Sequence, residues 1–110
     1  MSVQHKGLAG GRWLKLTFLE QMANIGSEVE RALNWKTRNN PEYSRQAFER
    51  ALELIDLTLA GLKNFPRLKE IARVREAIVD YFAGENLYNS SESSWKKYFL
   101  CFAFAARKNY

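Results

Sequence analysis

The last twenty residues, Ser91 to Tyr110, read SESSWKKYFLCFAFAARKNY, and they limit what this chain can become. Stepping about 100° per residue gathers Trp95, Tyr98, Phe99, Phe102 and Ala106 on one face of a helix. The opposite side should be polar, and only its ends are. Between Lys96 and Lys97 at one end and Arg107 and Lys108 at the other, it carries Leu100, Cys101 and Phe104. A helix that is apolar nearly all round must be covered on more than one side. Burying Leu100 and Phe104 would contribute about 1.5–3 kcal/mol each, whereas exposure leaves a sticky patch. Another part of the chain could cover them, and the N-terminal arm offers Val3 and Leu8, but that arm is short and glycine-rich and 110 residues leave few spare segments, so a second copy is the expected cover. Leu100, Cys101 and Phe104 are therefore the candidate self-association residues.

The rest of the chain supplies the neighbours such a helix needs. Hydrophobic content of 46%, with 14% aromatic residues, is that of one globular domain. Two prolines and six glycines leave room for few turns, which favours long helices. Residues 1–11, MSVQHKGLAGG, show no periodicity and read as a mobile arm, leaving 12–110 as the bundle domain. Leu14, Phe18, Met22, Ile25, Val29 and Leu33 form one stripe, predicting a first helix from about Arg12 to Thr37. Gly26 sits at the edge of that stripe, where a missing side chain lets another backbone come near.

Asn40-Pro41-Glu42 is a strong start signal for a second helix, to about Lys63. Its inner face is Ala47, Phe48, Ala51, Leu54, Ile55, Thr58 and Leu62. A third helix, from about Pro66 to Ala83, turns Leu68, Ile71, Val74, Ile78, Val79 and Phe82 inward, and Gly84 is placed to close it. Arg75 falls on that apolar side and needs a carboxylate or a route outward. Ser90 or Ser91 caps the fourth helix. Four helices with short links predict an all-α, four-helix up-and-down bundle.

Chemistry is hard to place on it. The only histidine, His5, lies on the arm, which removes the usual general base and nucleophile activation. Cys101, mid-helix among aromatics, reads as a packing group. Glu49, Glu53 and Asp56 share a side of helix 2, and Glu53-Leu-Ile-Asp56 resembles half the Mg²⁺ motif of all-helical nucleotide pyrophosphohydrolases. The Glu-x-x-Glu pair that motif needs on the preceding helix is missing, since Glu20, Glu28 and Glu30 lack that spacing. No cofactor and no metal ligand set is predicted. The loop residues Glu85, Asn86 and Tyr88 form a candidate loop site only because functional residues favour loops.

The net charge of +5 admits an acidic partner. Arg67, Lys69 and Arg73 on helix 3, with Lys96, Lys97, Arg107 and Lys108 on helix 4, are the candidate nucleic-acid contacts. Trp13, Trp35 and Tyr88 are aromatics able to stack on bases. No uninterrupted apolar run is long enough for a membrane span, and no signal peptide is recognisable, so a cytoplasmic location is expected.

Two stretches, TFLEQMANIGSEVERALNW (Thr17 to Trp35) and RVREAIVDYFAGEN (Arg73 to Asn86) through SSWKKYF, carry a resemblance. Together they resemble a family of small uncharacterised prokaryotic all-helical proteins. At bundle level the chain is also similar to HEPN domains and 23S rRNA intervening-sequence proteins. HEPN ribonucleases carry Arg-x4–6-His; Arg73 and Arg75 are followed by Ala77-Ile78-Val79-Asp80-Tyr81 and no histidine, so the resemblance implies a fold and not that activity. The expectation is a non-enzymatic protein acting by protein–protein association, as a homodimer. RNA or other nucleic-acid binding through a diffuse basic surface is the alternative, and a metal-dependent nucleotide hydrolase is the third reading.

Overall fold

In the computed structural model, which describes residues 11–108, each predicted helix forms. They are α1 (Phe18–Thr37), α2 (Pro41–Gly61), α3 (Phe65–Ala83) and α4 (Glu92–Lys108), with no strand among the described residues. The expected mobile arm, with His5, lies almost wholly outside the described residues.

Local chemistry explains where most helices begin. The Asn40 side chain accepts from the Tyr43 amide (3.0 Å) and Asn64 accepts from Arg67 (3.1 Å), each just ahead of an early proline. Ser91 accepts from the Ser94 amide (3.1 Å) while Ser94 Oγ takes the Ser91 amide (2.9 Å), so a serine fills the place glutamate holds in a capping box.

The first helix starts later than the apolar stripe predicts. Thr17 accepts from the Glu20 amide (3.1 Å) and its own amide donates to Glu20 Oε1 (2.8 Å), a complete capping box. Ahead of it, Trp13–Lys15 is a separate 3₁₀ turn. That break lets Trp13 fold inward to 1% exposure while Leu14, expected inside, is 62% exposed. Trp13 donates from its indole to Thr58 Oγ1 (2.9 Å), and its carbonyl accepts from the Gln21 side chain (3.0 Å). Trp13 is thus a core residue and no stacking platform for bases.

Contacts between helices give the topology. Ala32 meets Ser44, Glu28 meets Arg50 and Trp13 meets Thr58, so α2 runs antiparallel to α1. Asp56 meets Arg75 and Phe48 meets Phe82, which reverses α3 in turn. Phe18 meets Phe102 (6.1 Å) near one end of α1, and Gly26 meets Phe99 nearer its middle, which sets α4 against α1. The result is the up-and-down bundle, with α1 packed on both α2 and α4. Its core joins Met22, Ile25, Val29 and Leu33 to Ala51, Leu54, Ile55, Ile71, Ile78, Trp95 and Phe99.

Buried polar groups tie α1 to α2. Ser44 Oγ donates to the Ala32 carbonyl (2.8 Å), and the Glu28 carboxylate accepts from Arg31 (2.9 Å) and Arg50 (3.0 Å). Arg75 finds the carboxylate it required, bonding Asp56 through two nitrogens at 2.7 and 3.3 Å, which holds the guanidinium above its ordinary pKa.

The α3–α4 seam is closed by side chains. Tyr98 donates to Glu70 Oε2 at 2.6 Å, and Tyr81 packs edge-on against Trp95. Burial first, and the Glu70 hydrogen bond second, push the Tyr98 phenol well above its ordinary value. Because the folded pKa is raised, this group's stabilisation is full below the unfolded value near 10 and fades as pH climbs beyond it. Tyr98→Phe is expected to cost about 1 kcal/mol at neutral pH, and the gap to wild type should narrow between about pH 10 and 11. Urea titrations of both proteins across that range check this; a gap that stays constant with pH contradicts it.

The α3–α4 loop departs from expectation. Gly84 closes α3 where expected, its amide donating to the Asp80 carbonyl (3.1 Å), but it is extended (φ −110°), and the left-handed positions are Asn86 and Asn89. Leu87 and Tyr88 are 81% and 59% exposed. The loop is held instead by the Asp80 carboxylate, which accepts the amides of Leu87 (2.8 Å) and Tyr88 (3.0 Å). A backbone tied down in this way does not need a buried side chain as anchor.

Candidate functional site

The apolar groups left over on α4 lie on its outer face. Trp95 and Phe99 turn into the bundle, and a helix that buries this pair leaves Leu100 and Phe104 pointing outward at 62% and 61% exposure. Cys101 is exposed beside them, its thiol directed at the Lys97 carbonyl (3.5 Å). Lys97, Arg107 and Lys108 are exposed around this patch, and Lys96 is paired with Glu92 at 3.0 Å. No described residue covers Leu100 or Phe104 more than partly.

Beside this face a groove of about 660 Å³ runs between α1 and α4. Its floor is Gly26, Val29 and Leu33 from α1 with Trp95 and Phe99 from α4, and Ser27, Glu30, Glu92, Lys96, Lys97 and the exposed Leu100 stand at its edges. The close approach expected at Gly26 is present, because a Cβ built there would lie 2.7 Å from Phe99 Cβ. The Trp95 indole nitrogen is buried without a hydrogen-bond partner among the described residues, a deficit of about 1–3 kcal/mol, and Trp95 is one of the residues lining this groove.

A second hollow, of about 550 Å³, lies at the α1–α2 turn between Lys36, Arg45, Phe48 and Phe82. Lys36 is already engaged there, 4.3 Å over the Tyr81 ring.

The other candidate residues are dispersed. Arg67 lies over the Phe18 ring at 4.4 Å, so its cation is held at the end of the bundle where Phe18 meets Phe102. Lys69 and Arg73 are exposed on α3. Trp35 is half-buried, edge-on to Tyr43 and covered by Arg38. Of the three stacking aromatics, only Tyr88 is openly exposed, and its hydroxyl is bonded to Glu76 (2.9 Å).

Of the three candidate carboxylates on α2, Asp56 is committed to Arg75. Among the described residues no three of His, Cys, Asp and Glu are grouped to hold a metal ion. The candidate loop site is a structural clamp: the Asn86 side chain gives to the Ser90 carbonyl (2.9 Å) and accepts its amide (2.8 Å), and Glu85 is exposed. None of Glu85, Asn86 and Tyr88 lines either hollow.

Fold and surface together define an all-helical bundle in which, among the described residues, Leu100 and Phe104 leave an apolar face of α4 exposed next to a groove. No protein-family model matches this chain, and neither any curated protein nor any solved structure does. Among the described residues, no helix is long and apolar enough to cross a membrane.

Proposed function

We propose that this chain is a non-enzymatic association module that works as a homodimer through the outer face of α4. The observation that carries this reading is the exposure of Leu100 and Phe104 side by side on a well-formed helix. Covering both would contribute about 1.5–3 kcal/mol each before any other contact is counted. The basic residues flanking the patch keep the free chain soluble until it pairs.

Nucleic-acid binding is the weaker reading. Arg67 is engaged with Phe18, Lys96 with Glu92, and Trp13 is in the core. A metal-dependent hydrolase is weaker still, because Asp56 is held by Arg75.

Light scattering beside circular dichroism tests the homodimer. Wild type is expected at the mass of two chains, and Phe104→Glu at the mass of one with its helicity unchanged. If wild type also has the mass of a single chain, the reading is wrong.

A further inference from the structure

We propose that two copies pair their α4 helices antiparallel, with Leu100 on the two-fold axis and each Phe104 entering the α1/α4 groove of its twin. The inference rests on the homodimer reading above and adds how the copies fit.

Area supports the use of the groove. Helix α4 has 17 residues, so it is about 25 Å long and about 10–12 Å wide, and one face offers only about 250–300 Å². A stable interface buries about 800 Å² on each partner. A second copy resting on α4 alone falls well short, and the apolar surface next to it is the groove with its floor at Gly26, Val29 and Leu33. An α4 from another copy settling there touches both α1 and α4.

Charge supports the direction. Along the outer face, Lys96 and Lys97 stand near the start of α4 and Arg107 and Lys108 at its end. Parallel pairing would set each of these clusters against its own copy. Leu100 is the midpoint of Glu92–Lys108, so antiparallel pairing about it avoids both clashes. Phe104 then lies opposite the partner's Lys96, where a cation meets a ring face. Arg107 and Lys108 arrive beside the start of the partner's α4, where the groove is lined by Glu92, already bonded to Lys96, and Glu30 is the further carboxylate of the groove. The two helix dipoles also oppose each other in this arrangement.

Crosslinking reads the orientation. In a Cys101→Ser background, Ser93→Cys and Arg107→Cys are made as separate proteins, one carrying a mass tag. They are mixed and bridged with a short bis-maleimide, and circular dichroism confirms that both are folded. The mixed product joining the two variants is expected in several-fold excess over either self-joined product. Dominant self-joined products mean parallel pairing and overturn the proposal. Dimers by light scattering that yield no bridged product place the interface elsewhere; this also overturns the geometry while leaving the homodimer intact. Single chains by light scattering defeat both readings.

Discussion

Replacing Trp13 with alanine is expected to cost about 3–5 kcal/mol, the range for removing a large aromatic from a core. The side chain is 1% exposed and among the largest fully buried ones in the described residues. It lies ahead of α1 yet holds the middle of the chain, donating to Thr58 on α2, 45 residues away. Small domains are stable by about 5–15 kcal/mol in total, so this one change removes a large share of the margin. Trp13→Phe separates the two contributions. It keeps a ring in the site but loses the indole donor; Thr58 still donates to the Leu54 carbonyl, so a cost of about 1–2 kcal/mol is expected. Urea unfolding followed by far-ultraviolet circular dichroism gives both values. An alanine variant within about 1 kcal/mol of wild type would mean that Trp13 does not plug the core.

The second large effect is at Gly26. Replacing glycine in a helix ordinarily helps, by up to about 1 kcal/mol. Here Gly26→Val is expected to destabilise by about 3 kcal/mol, because its new atoms meet Phe99 Cβ, which is fixed to the α4 backbone. The helices would have to part, and the core they share at Ile25 and Phe99 would open with them. Ser27→Val, at an exposed position on the same helix, is the control for valine's own helix propensity. Equal melting temperatures for the two variants would refute the close crossing.

These two positions also show what sequence alone can reveal. Gly26 is legible because a glycine weakens a helix, and one kept at the edge of an apolar stripe marks a close crossing. Trp13 is not, because Leu14 and Phe18 continue the helical spacing and mask the break. The break is nonetheless encoded: Thr17-x-x-Glu20 is a capping box, and capping geometry overrides the apolar period. The starts of α2 and α3 are legible from asparagine followed closely by proline. The loop after α3 is not, because the holding group is Asp80, inside the helix and several residues from the amides it binds. On α4, the outward placing of Leu100, Cys101 and Phe104 follows from angle alone. The groove beside them does not, since it is lined from both α1 and α4 and exists only once these two helices have packed together.

The polar contacts between α1 and α2 have one more consequence. Ala32, Ala47 and Ala51 are fully buried and carry only a methyl group each, so these three positions do little by themselves to fix how far one helix has slid along the other. Glu28 with Arg50 and Ser44 with the Ala32 carbonyl match in only one alignment, like two keys cut for one lock. Any slipped alignment would strand a carboxylate and a hydroxyl away from their partners, so these two polar contacts add to the packing of the larger core side chains in holding one alignment.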